Sequence, residues 1–197
     1  MAADSPETQL IYRVLAGESD AFGELVRLYE RPVFNLAYRM LGNSVEAEDA
    51  AQEAFIKAYS HLEGYDVSRS FKTWLLSITS NHCIDWLRKR RMTYLSIDEP
   101  LPPHPALVSP QASPEAAAVA EERSAYIQNL LNNLPEEYRL VIILRYWYDF
   151  SYAEIADMQD TTESAIKSRL FRARQALAKQ IDLDETPEFA MLMEREA

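Results

Sequence analysis

A cluster of prolines divides this sequence into two parts. Six of the ten prolines in the 197-residue chain fall between residues 93 and 114. Proline lacks an amide hydrogen and its ring clashes with the preceding helical turn, so a segment this rich in proline does not form a packed helix. We predict a flexible linker over residues 93–118. Two small domains are then expected, at residues 9–92 and 119–181, followed by an acidic tail at 182–197.

Both parts have the pattern of helices. The chain contains only four glycines, and no alternation of apolar and polar residues is sustained. The longest apolar stripe runs from Phe22 to Leu41 and ends at Gly42 and Asn43, with a kink expected at Pro32. Pro135 is expected in the first turn of a later helix. With 48% hydrophobic residues, each part can bury a core. We therefore predict an all-α protein of two small helical domains.

The composition excludes several classes of protein. The run of branched aliphatic residues from Leu140 to Leu144 is far too short to cross a membrane, and the first residues lack the basic and apolar regions of a secretion signal. This predicts a cytoplasmic protein without direct membrane insertion. The single cysteine, Cys83, excludes an internal disulfide, and three scattered histidines do not join it in a zinc site. We find no Gly-rich phosphate loop, nucleophile motif or metal cluster in the sequence, and expect no enzyme, metal or cofactor.

The distribution of charge is more informative than its sum. A formal net charge of −11 argues against nucleic acid, because phosphate contacts need positive charge. Two segments nevertheless are basic: residues 64–92 contain six basic and two acidic side chains, and residues 161–181 contain five and one. Such segregation is typical of two separate phosphate-facing surfaces. The acidic remainder would limit non-specific DNA binding and leave surfaces for protein partners.

Residues 151–174 are predicted to form two short helices joined by a tight turn. Ser151 and Glu154 have the spacing of a capping box, and Thr161 or Thr162 can cap the second helix. Asp160 can adopt the left-handed conformation that the turn needs. One face of the second helix is apolar, formed by Ile166, Leu170, Ala173 and Leu177. The other face and its flanks contain Ser164, Lys167, Ser168, Arg169, Phe171, Arg172, Arg174, Gln175 and Lys179. This is the pattern of a DNA-binding helix-turn-helix, and the alternative is a solvated amphipathic helix.

The helix expected over residues 44–62 has two contrasting faces. Its buried face is expected to contain Ala47, Ala51, Phe55, Ala58, Tyr59 and Leu62. Its acidic and amide-bearing face contains Glu46, Asp49, Gln52, Glu53 and Lys57. That face is either a solubilising surface or a docking edge for a basic partner, and the composition alone favours the former.

The basic segment 65–92 is predicted to form two helical stretches around a break at Ser80 and Asn81. Basic residues near aromatic ones suit single-stranded DNA, whose unstacked bases need stacking or hydrogen-bonding partners. In the alternative interpretation, Trp74 and Trp86 anchor the core. The cluster Arg88–Arg91 then only complements a helix dipole.

Four motifs in this order resemble a known family. They are AFGELVRLYERPVFNLAYRMLGN, then AEDAAQEAFIKAY, then FKTWLLSITSNHCIDWLRKRR, and finally LPEEYRLVIILRYWYDFSYAEIADM with AIKSRLFRARQAL. Over residues 9–181 the chain resembles the extracytoplasmic-function group of the sigma-70 family of bacterial RNA polymerase sigma factors. The resemblance implies that residues 9–92 are sigma region 2 and residues 119–181 are sigma region 4. It implies two partners, core RNA polymerase (the β′ coiled coil and the β subunit) and promoter DNA.

The resemblance also implies roles for individual residues. The core-binding role falls on Asp49, Gln52, Glu53 and Phe55. Contacts with the −10 element fall on Lys72, Trp74, Asn81, Arg88, Lys89, Arg90 and Arg91, with Asn81 capturing a flipped-out base. Contacts with the −35 element fall on Lys167, Ser168, Arg169, Phe171, Arg172 and Arg174. Members of the group are often held inactive by an anti-sigma factor, commonly one anchored in a membrane, so such a partner is expected here.

The sequence departs from the family pattern at the turn. Gln159 and Asp160 replace a common apolar-Gly pair, and Ser164 with Ala165 replaces a frequent Gly-Thr. The −35 preference therefore does not follow from the resemblance. A stand-alone helix-turn-helix regulator of duplex DNA is the alternative function, although it leaves the first basic segment and the AEDAAQEAF motif without a role.

Overall fold

The computed structural model describes the backbone at residues 6–94 and 114–180, and side chains at residues 6–92 and 122–180. Every regular element in these ranges is helical, which confirms the predicted all-α class. The helices are α1 Pro6–Leu15, α2 Asp20–Leu41, α3 Ser44–Ser60, α4 Phe71–Tyr94, α5 Pro114–Asn132, α6 Glu136–Trp147, α7 Tyr152–Met158 and α8 Glu163–Ala178, with a short 3-10 turn at Leu62–Gly64.

The chain divides into two compact units between residues 104 and 105. Unit 1 contains α1 to α4, and unit 2 contains α5 to α8. Helical structure extends into both ends of the predicted linker segment, because residues 93–94 belong to α4 and residues 114–118 belong to α5. The rest of that linker and the predicted tail at 182–197 lie outside the described residues.

The core of unit 1 is formed by α2, α3 and α4, which pack against one another, with α1 packed on α2. Its fully buried large side chains include Ile11, Leu25, Leu36, Met40, Leu62, Phe71, Leu75 and Leu76. The buried face of α3 is rich in alanine, which allows neighbouring helices to approach closely. Tyr59 was expected in this core, but it is exposed and packs its ring edge-on against Phe22, with ring centroids 5.0 Å apart.

The junction between α2 and α3 follows the sequence signals closely. α2 continues as one helix through Pro32 and ends at Gly42, whose φ of +73° lies in the left-handed region that glycine tolerates. The Asn43 side chain then accepts hydrogen bonds from the amides of Val45 and Glu46, at 2.9 and 3.1 Å. Asn43 is therefore the cap that begins α3.

α4 is one continuous helix of 24 residues, so the predicted break at Ser80 and Asn81 was wrong. Two hydroxyl-bearing residues at the expected break, Thr79 and Ser80, form their hydrogen bonds inside the helix. Thr79 Oγ1 donates to the Leu75 carbonyl at 2.9 Å, and Ser80 Oγ donates to the Ser77 carbonyl at 3.0 Å. Because these hydroxyls bond to the preceding turn, both side chains are buried without interrupting the backbone ladder.

Unit 2 is organised around α6, whose residues Leu140 to Leu144 are all fully buried. Pro135 is the N-cap of α6, one position before the predicted helical turn, because its ψ of 144° is extended. Arg139 is buried and donates to the carbonyls of Asn132 and Leu134, at 2.8 and 3.3 Å. It thereby satisfies carbonyl groups that the end of α5 leaves without helical partners.

None of the helices in the described ranges has both the length and the apolar character needed to span a membrane.

Candidate nucleic-acid and protein-docking surfaces

The predicted helix-turn-helix is formed by α7 and α8, which pack against each other and against α6. Its first helix begins with a capping box: the Ser151 amide donates to Glu154 Oε2 at 2.8 Å, and the Glu154 amide donates to Ser151 Oγ at 3.2 Å. In the turn, Asp160 has a φ of +47°, and the Thr161 amide donates to the Ala156 carbonyl at 3.0 Å. This closes the helix end in the left-handed conformation expected from the sequence.

The second helix, α8, begins at Thr162, whose Oγ1 accepts a hydrogen bond from the Ala165 amide at 3.2 Å. Of the two threonines that the sequence offered as caps, the structure therefore selects the second. The predicted apolar residues are all buried: Ile166, Leu170, Ala173 and Leu177. Because this stripe attaches α8 to the unit, the opposite face is left for a partner.

The outward face of α8 has four of the six predicted −35 residues. Lys167, Ser168, Phe171 and Arg172 are exposed along it. Phe171 is the most informative, since a phenyl side chain that is 55% exposed beside a basic residue suits contact with a base edge or a thymine methyl group. Hydroxyl, aromatic and guanidinium groups thus share one surface that fits the major groove.

The sequence did not predict that Lys167 lies over the aromatic ring of Tyr152. The ammonium group of Lys167 lies 5.6 Å from the centroid of the Tyr152 ring, and the guanidinium of Arg145 lies 5.2 Å from the same centroid. Lys167 also pairs with Glu163 at 3.9 Å. The signal that could have identified Arg145 and Tyr152 is their position at the end of α6 and the start of α7, next to the recognition helix.

The other two predicted −35 residues are less exposed. Arg169 is half-buried, and its guanidinium bonds to Gln159 at 2.8 Å and pairs with Glu137 at 3.4 Å. Arg174 is also half-buried. The structure therefore does not bring these two arginines onto the same face as Arg172.

In unit 1, α4 aligns three predicted −10 residues. Trp74, Asn81 and Arg88 are separated by seven residues each, which places them on one side of a continuous helix. Asn81 and Arg88 are exposed on that side. Trp74 is half-buried, with its ring 4.8 Å from Tyr65 and 5.6 Å from Phe71 between centroids. Trp74 thus joins the core to the outer surface, which combines the two interpretations that its sequence position allowed.

The basic end of α4 is not uniform. Arg88, Lys89 and Arg91 are exposed, whereas Lys72 lies near the other end of the helix and is half-buried. Arg90 points toward α3, where its Nη1 donates to Glu46 Oε2 at 3.0 Å. Because both partners are only about a fifth exposed, this ion pair attaches α4 to α3.

The predicted docking residues of α3 separate into surface and core. Asp49 and Gln52 are exposed and Glu53 is half-buried, whereas Phe55 is buried. The structure therefore places Phe55 behind this surface, where it supports the helix. Ile56 is 62% exposed one helical turn after Gln52. An exposed isoleucine between acidic and amide groups was missed by sequence reasoning, although its i+4 spacing from Gln52 was visible there.

A polar contact connects α3 and α4 next to Asn81. Lys57 Nζ lies 3.0 Å from His82 Nδ1. Partial burial, followed by the positive charge of Lys57, lowers the pKa of His82 from its ordinary value. Burial raises the pKa of the adjacent Cys83 thiol to about 12, so this cysteine is a packing residue. The described residues contain no group of three or more side chains suited to a metal ion.

Comparison with known families matches both units. A family model described as Sigma-70 region 2 matches residues 25–93, and a second described as Sigma-70, region 4 matches residues 124–177. The first match contains α3, most of α2 and nearly all of α4, and the second contains α6, α7 and nearly all of α8.

Individual relatives cover almost the whole chain. The ECF RNA polymerase sigma factor SigW of Bacillus subtilis is 40% identical over 176 residues, which is 87% of this chain and 94% of the relative. The RNA polymerase sigma-H factor of Pseudomonas aeruginosa is 32% identical over 194 residues, covering 91% and 95%. Among solved structures, the sigma factor RpoE of Bartonella quintana, in complex with the anti-sigma factor NepR, has the same fold, with a TM-score of 0.64 at 24% identity over 82% of this chain and 98% of that one.

Proposed function

The chain belongs to the extracytoplasmic-function group of the sigma-70 family, and from this membership we propose that its two units divide promoter recognition between them. The protein is a sigma factor, which binds core RNA polymerase and directs initiation at promoters with −10 and −35 elements. As a DNA-binding initiation factor it needs no catalytic site of its own, and we assign the chemistry to the polymerase. We place the protein in the cytoplasm, which contains both the polymerase and the DNA.

In the proposed division, residues 9–92 act as region 2 and residues 119–181 as region 4. The α3 surface of Asp49, Gln52, Glu53 and Ile56 docks on the polymerase. The outer side of α4, with Trp74, Asn81 and Arg88, meets the opened −10 strands. The outward face of α8, with Lys167, Ser168, Phe171 and Arg172, reads the −35 duplex.

Each unit presents its own exposed basic helix, and α3 adds a separate acidic surface, which together support this division. A stand-alone regulator needs only unit 2 and gives α3 and α4 no task. Separate surfaces allow polymerase and DNA to bind at the same time, which a sigma factor requires. The net charge of −11 fits the same division, because it disfavours tight DNA binding by the protein alone.

Run-off transcription from fragmented genomic DNA tests the function directly. Purified core polymerase is assayed with and without the protein. We expect discrete transcripts that require the protein, and their upstream sequences supply the two promoter elements. Tight duplex binding by the protein alone, with no protein-dependent transcript, would favour the stand-alone regulator.

Two variants test the division of labour. Arg172→Ala should reduce use of the mapped promoters by roughly 5- to 150-fold, the range of one specific base contact, with core binding unchanged. The double variant Asp49→Ala/Glu53→Ala should weaken core binding, measured by fluorescence anisotropy. A matched double variant, Glu63→Ala/Asp157→Ala, removes two exposed carboxylates elsewhere and should leave both properties intact. Equal loss of core affinity in the first two variants would contradict the division.

We also propose that an anti-sigma protein covers these surfaces when the factor is idle. This proposal rests on exposed apolar side chains of α3. Val45 and Ile56 are largely open to solvent and lie on one side of the helix. Affinity purification from the native cell, without induction, should recover such a partner in stoichiometric amounts. Recovery of only free and polymerase-bound protein would remove this part of the proposal.

A further inference from the structure

We infer that Arg169 is a positioning residue that fixes the orientation of α8, and is not a contact to the DNA backbone. The inference rests on the proposed role of α8 in reading the −35 element. It concerns how that helix is held. It also changes the assignment that the sequence suggested for this arginine.

The guanidinium of Arg169 connects three elements of unit 2. Its Nη1 donates to Gln159 Oε1 at 2.8 Å, and its Nη2 lies 3.4 Å from Glu137 Oε2. Gln159 is the residue that ends α7, immediately before the left-handed Asp160 of the turn. Glu137 lies in the first turn of α6. One planar group therefore links the recognition helix to the helix behind it and to the turn that sets its direction.

The local charges explain why Arg169 is better suited to this task than to binding phosphate. Its side chain is 27% exposed, and the Glu137 carboxylate beside it compensates its charge and would repel an approaching phosphate. Moving the guanidinium to DNA would also deprive the half-buried Gln159 oxygen of its donor, which costs free energy. Arg172, three residues later, is exposed on the outward face instead.

The arrangement gives a role to the unusual turn sequence. A glutamine at position 159 can accept a hydrogen bond from α8, which an apolar residue cannot do. The angle between α7 and α8 then depends on this bond as well as on packing. Base contacts from Phe171 and Arg172 require α8 to be placed accurately, so the bond should influence the selectivity of −35 reading more than its strength.

Two substitutions distinguish positioning from phosphate contact by the direction of their effects. Glu137→Gln leaves the Arg169 residue unmutated and removes the carboxylate that pairs with its guanidinium. Arg169→Lys keeps the charge, but a lysine does not reproduce a fork that bonds two separate acceptors. Both are assayed as holoenzyme on a duplex fragment carrying a mapped promoter and on a copy with a substituted −35 element. The readouts are the ratio of the two affinities and the salt dependence of binding.

We expect both variants to lower the affinity ratio by roughly fivefold, the lower end of what one misplaced base contact removes. The salt slope should stay unchanged. A third variant, Arg169→Gln, removes the positive charge and tests for a phosphate contact. The inference is overturned if Glu137→Gln strengthens binding or if Arg169→Lys behaves as wild type. It is also overturned if Arg169→Gln reduces the magnitude of the salt slope by about 0.9, the value for one lost phosphate contact.

The same experiments also distinguish a purely stabilising role of Arg169 and a failure of the proposed function. A lower thermal midpoint with an unchanged affinity ratio would assign Arg169 to stability alone and would also overturn the inference. Arg172→Ala serves as the control for a direct contact, and it should reduce affinity without a change in the thermal midpoint. If wild-type protein gives no protein-dependent transcript, the proposed function itself fails, and that result is independent of the variants.

Discussion

The helices α4 and α8 are both proposed to face DNA, yet their buried sides are built differently. α8 buries an unbroken apolar stripe and begins at a threonine cap. α4 buries two polar residues, Thr79 and Ser80, in the middle of its length. In α8 polar side chains mark the outside, whereas in α4 two of them lie inside and bond to their own backbone. Hydroxyl groups therefore identify an exposed face only where the carbonyl groups of the preceding turn do not accept their hydrogen bonds.

The continuity of α4 changes the surroundings of Asn81, the residue of unit 1 that is proposed to read a base. Asn81 was expected at a break between two helical stretches, but it projects from the middle of a continuous helix. A helix fixes its side chains more closely than a loop does, so Trp74, Asn81 and Arg88 form a regular row. The opened strand would then meet a surface already formed before DNA binds.

Proline substitution at Asn81 gives the largest expected effect. Because Asn81 is exposed within α4, Asn81→Pro removes a helical hydrogen bond without changing the core, and should destabilise unit 1 by about 3 kcal/mol or more. Urea unfolding measures this in a Trp147→Phe background, where Trp74 and Trp86 report on unit 1. The counterpart in unit 2 is Glu163→Pro, at the first position of α8, where proline is tolerated and should cause little loss.

The matched control for this prediction is Asn81→Ala. Alanine favours a helix more than asparagine does, so the unfolding free energy of unit 1 should be unchanged or slightly higher. Promoter opening should nevertheless decrease under the proposed role of Asn81. If Asn81→Pro is as stable as the wild type, the result would favour the break at Ser80 and Asn81 that the sequence suggested.

The cap of α8 gives a smaller effect. Thr162→Ala removes the oxygen that accepts the Ala165 amide, and should destabilise unit 2 by about 1 kcal/mol. Trp147 fluorescence in a Trp74→Phe/Trp86→Phe background isolates unit 2. Thr161→Ala is the control, since Thr161 is not the residue that caps the helix. If the two substitutions have equal effects, the assignment of the cap to Thr162 is wrong.

Much of the fold follows from local signals in the sequence. The end of α2 at Gly42, the capping box at Ser151 and the apolar face of α8 each depend on residues within one or two turns of each other. The continuity of α4 does not follow, because the sequence does not reveal that Thr79 and Ser80 are buried and bond to their own helix. The exposure of Tyr59 was missed for a related reason, since its helical position alone does not reveal that it packs against Phe22.

For the proposed DNA-binding surfaces too, local sequence patterns predict only part of the structure. Exposed residues such as Lys167, Phe171 and Arg172 stand where the helical pattern predicts. The helical pattern does not predict the inward positions of Arg90 and Arg169. Their partners, Glu46 and Glu137, are 44 and 32 positions away in the chain. A sequence identifies basic residues, but only the tertiary structure shows which of them an internal carboxylate already holds.

The smallest expected effect is a histidine-linked pH dependence of stability, which unit 1 has and unit 2 lacks. Lys57 can donate to His82 Nδ1 only while the imidazole is neutral. Partial burial and the charge of Lys57 lower the pKa of His82; Lys89 adds to this effect, while Glu53 and Asp85 oppose it. The folded-state pKa therefore lies below the ordinary value of about 6.5. The stabilising contribution of His82 is complete above that value and is lost as the pH falls through the folded-state pKa.

Urea unfolding at pH 7.5 and pH 5 checks this sign in the Trp147→Phe background. On acidification the wild type should lose more unfolding free energy from unit 1 than His82→Gln does. The difference should be small, because water screens a half-exposed side chain. Unit 2 supplies the control, since residues 105–197 contain no histidine, and the substitution should leave its pH dependence unchanged. A wild type and a variant that respond identically would show that Lys57 does not depend on neutral His82, and that α3 and α4 are held together by packing and the Arg90 ion pair without it.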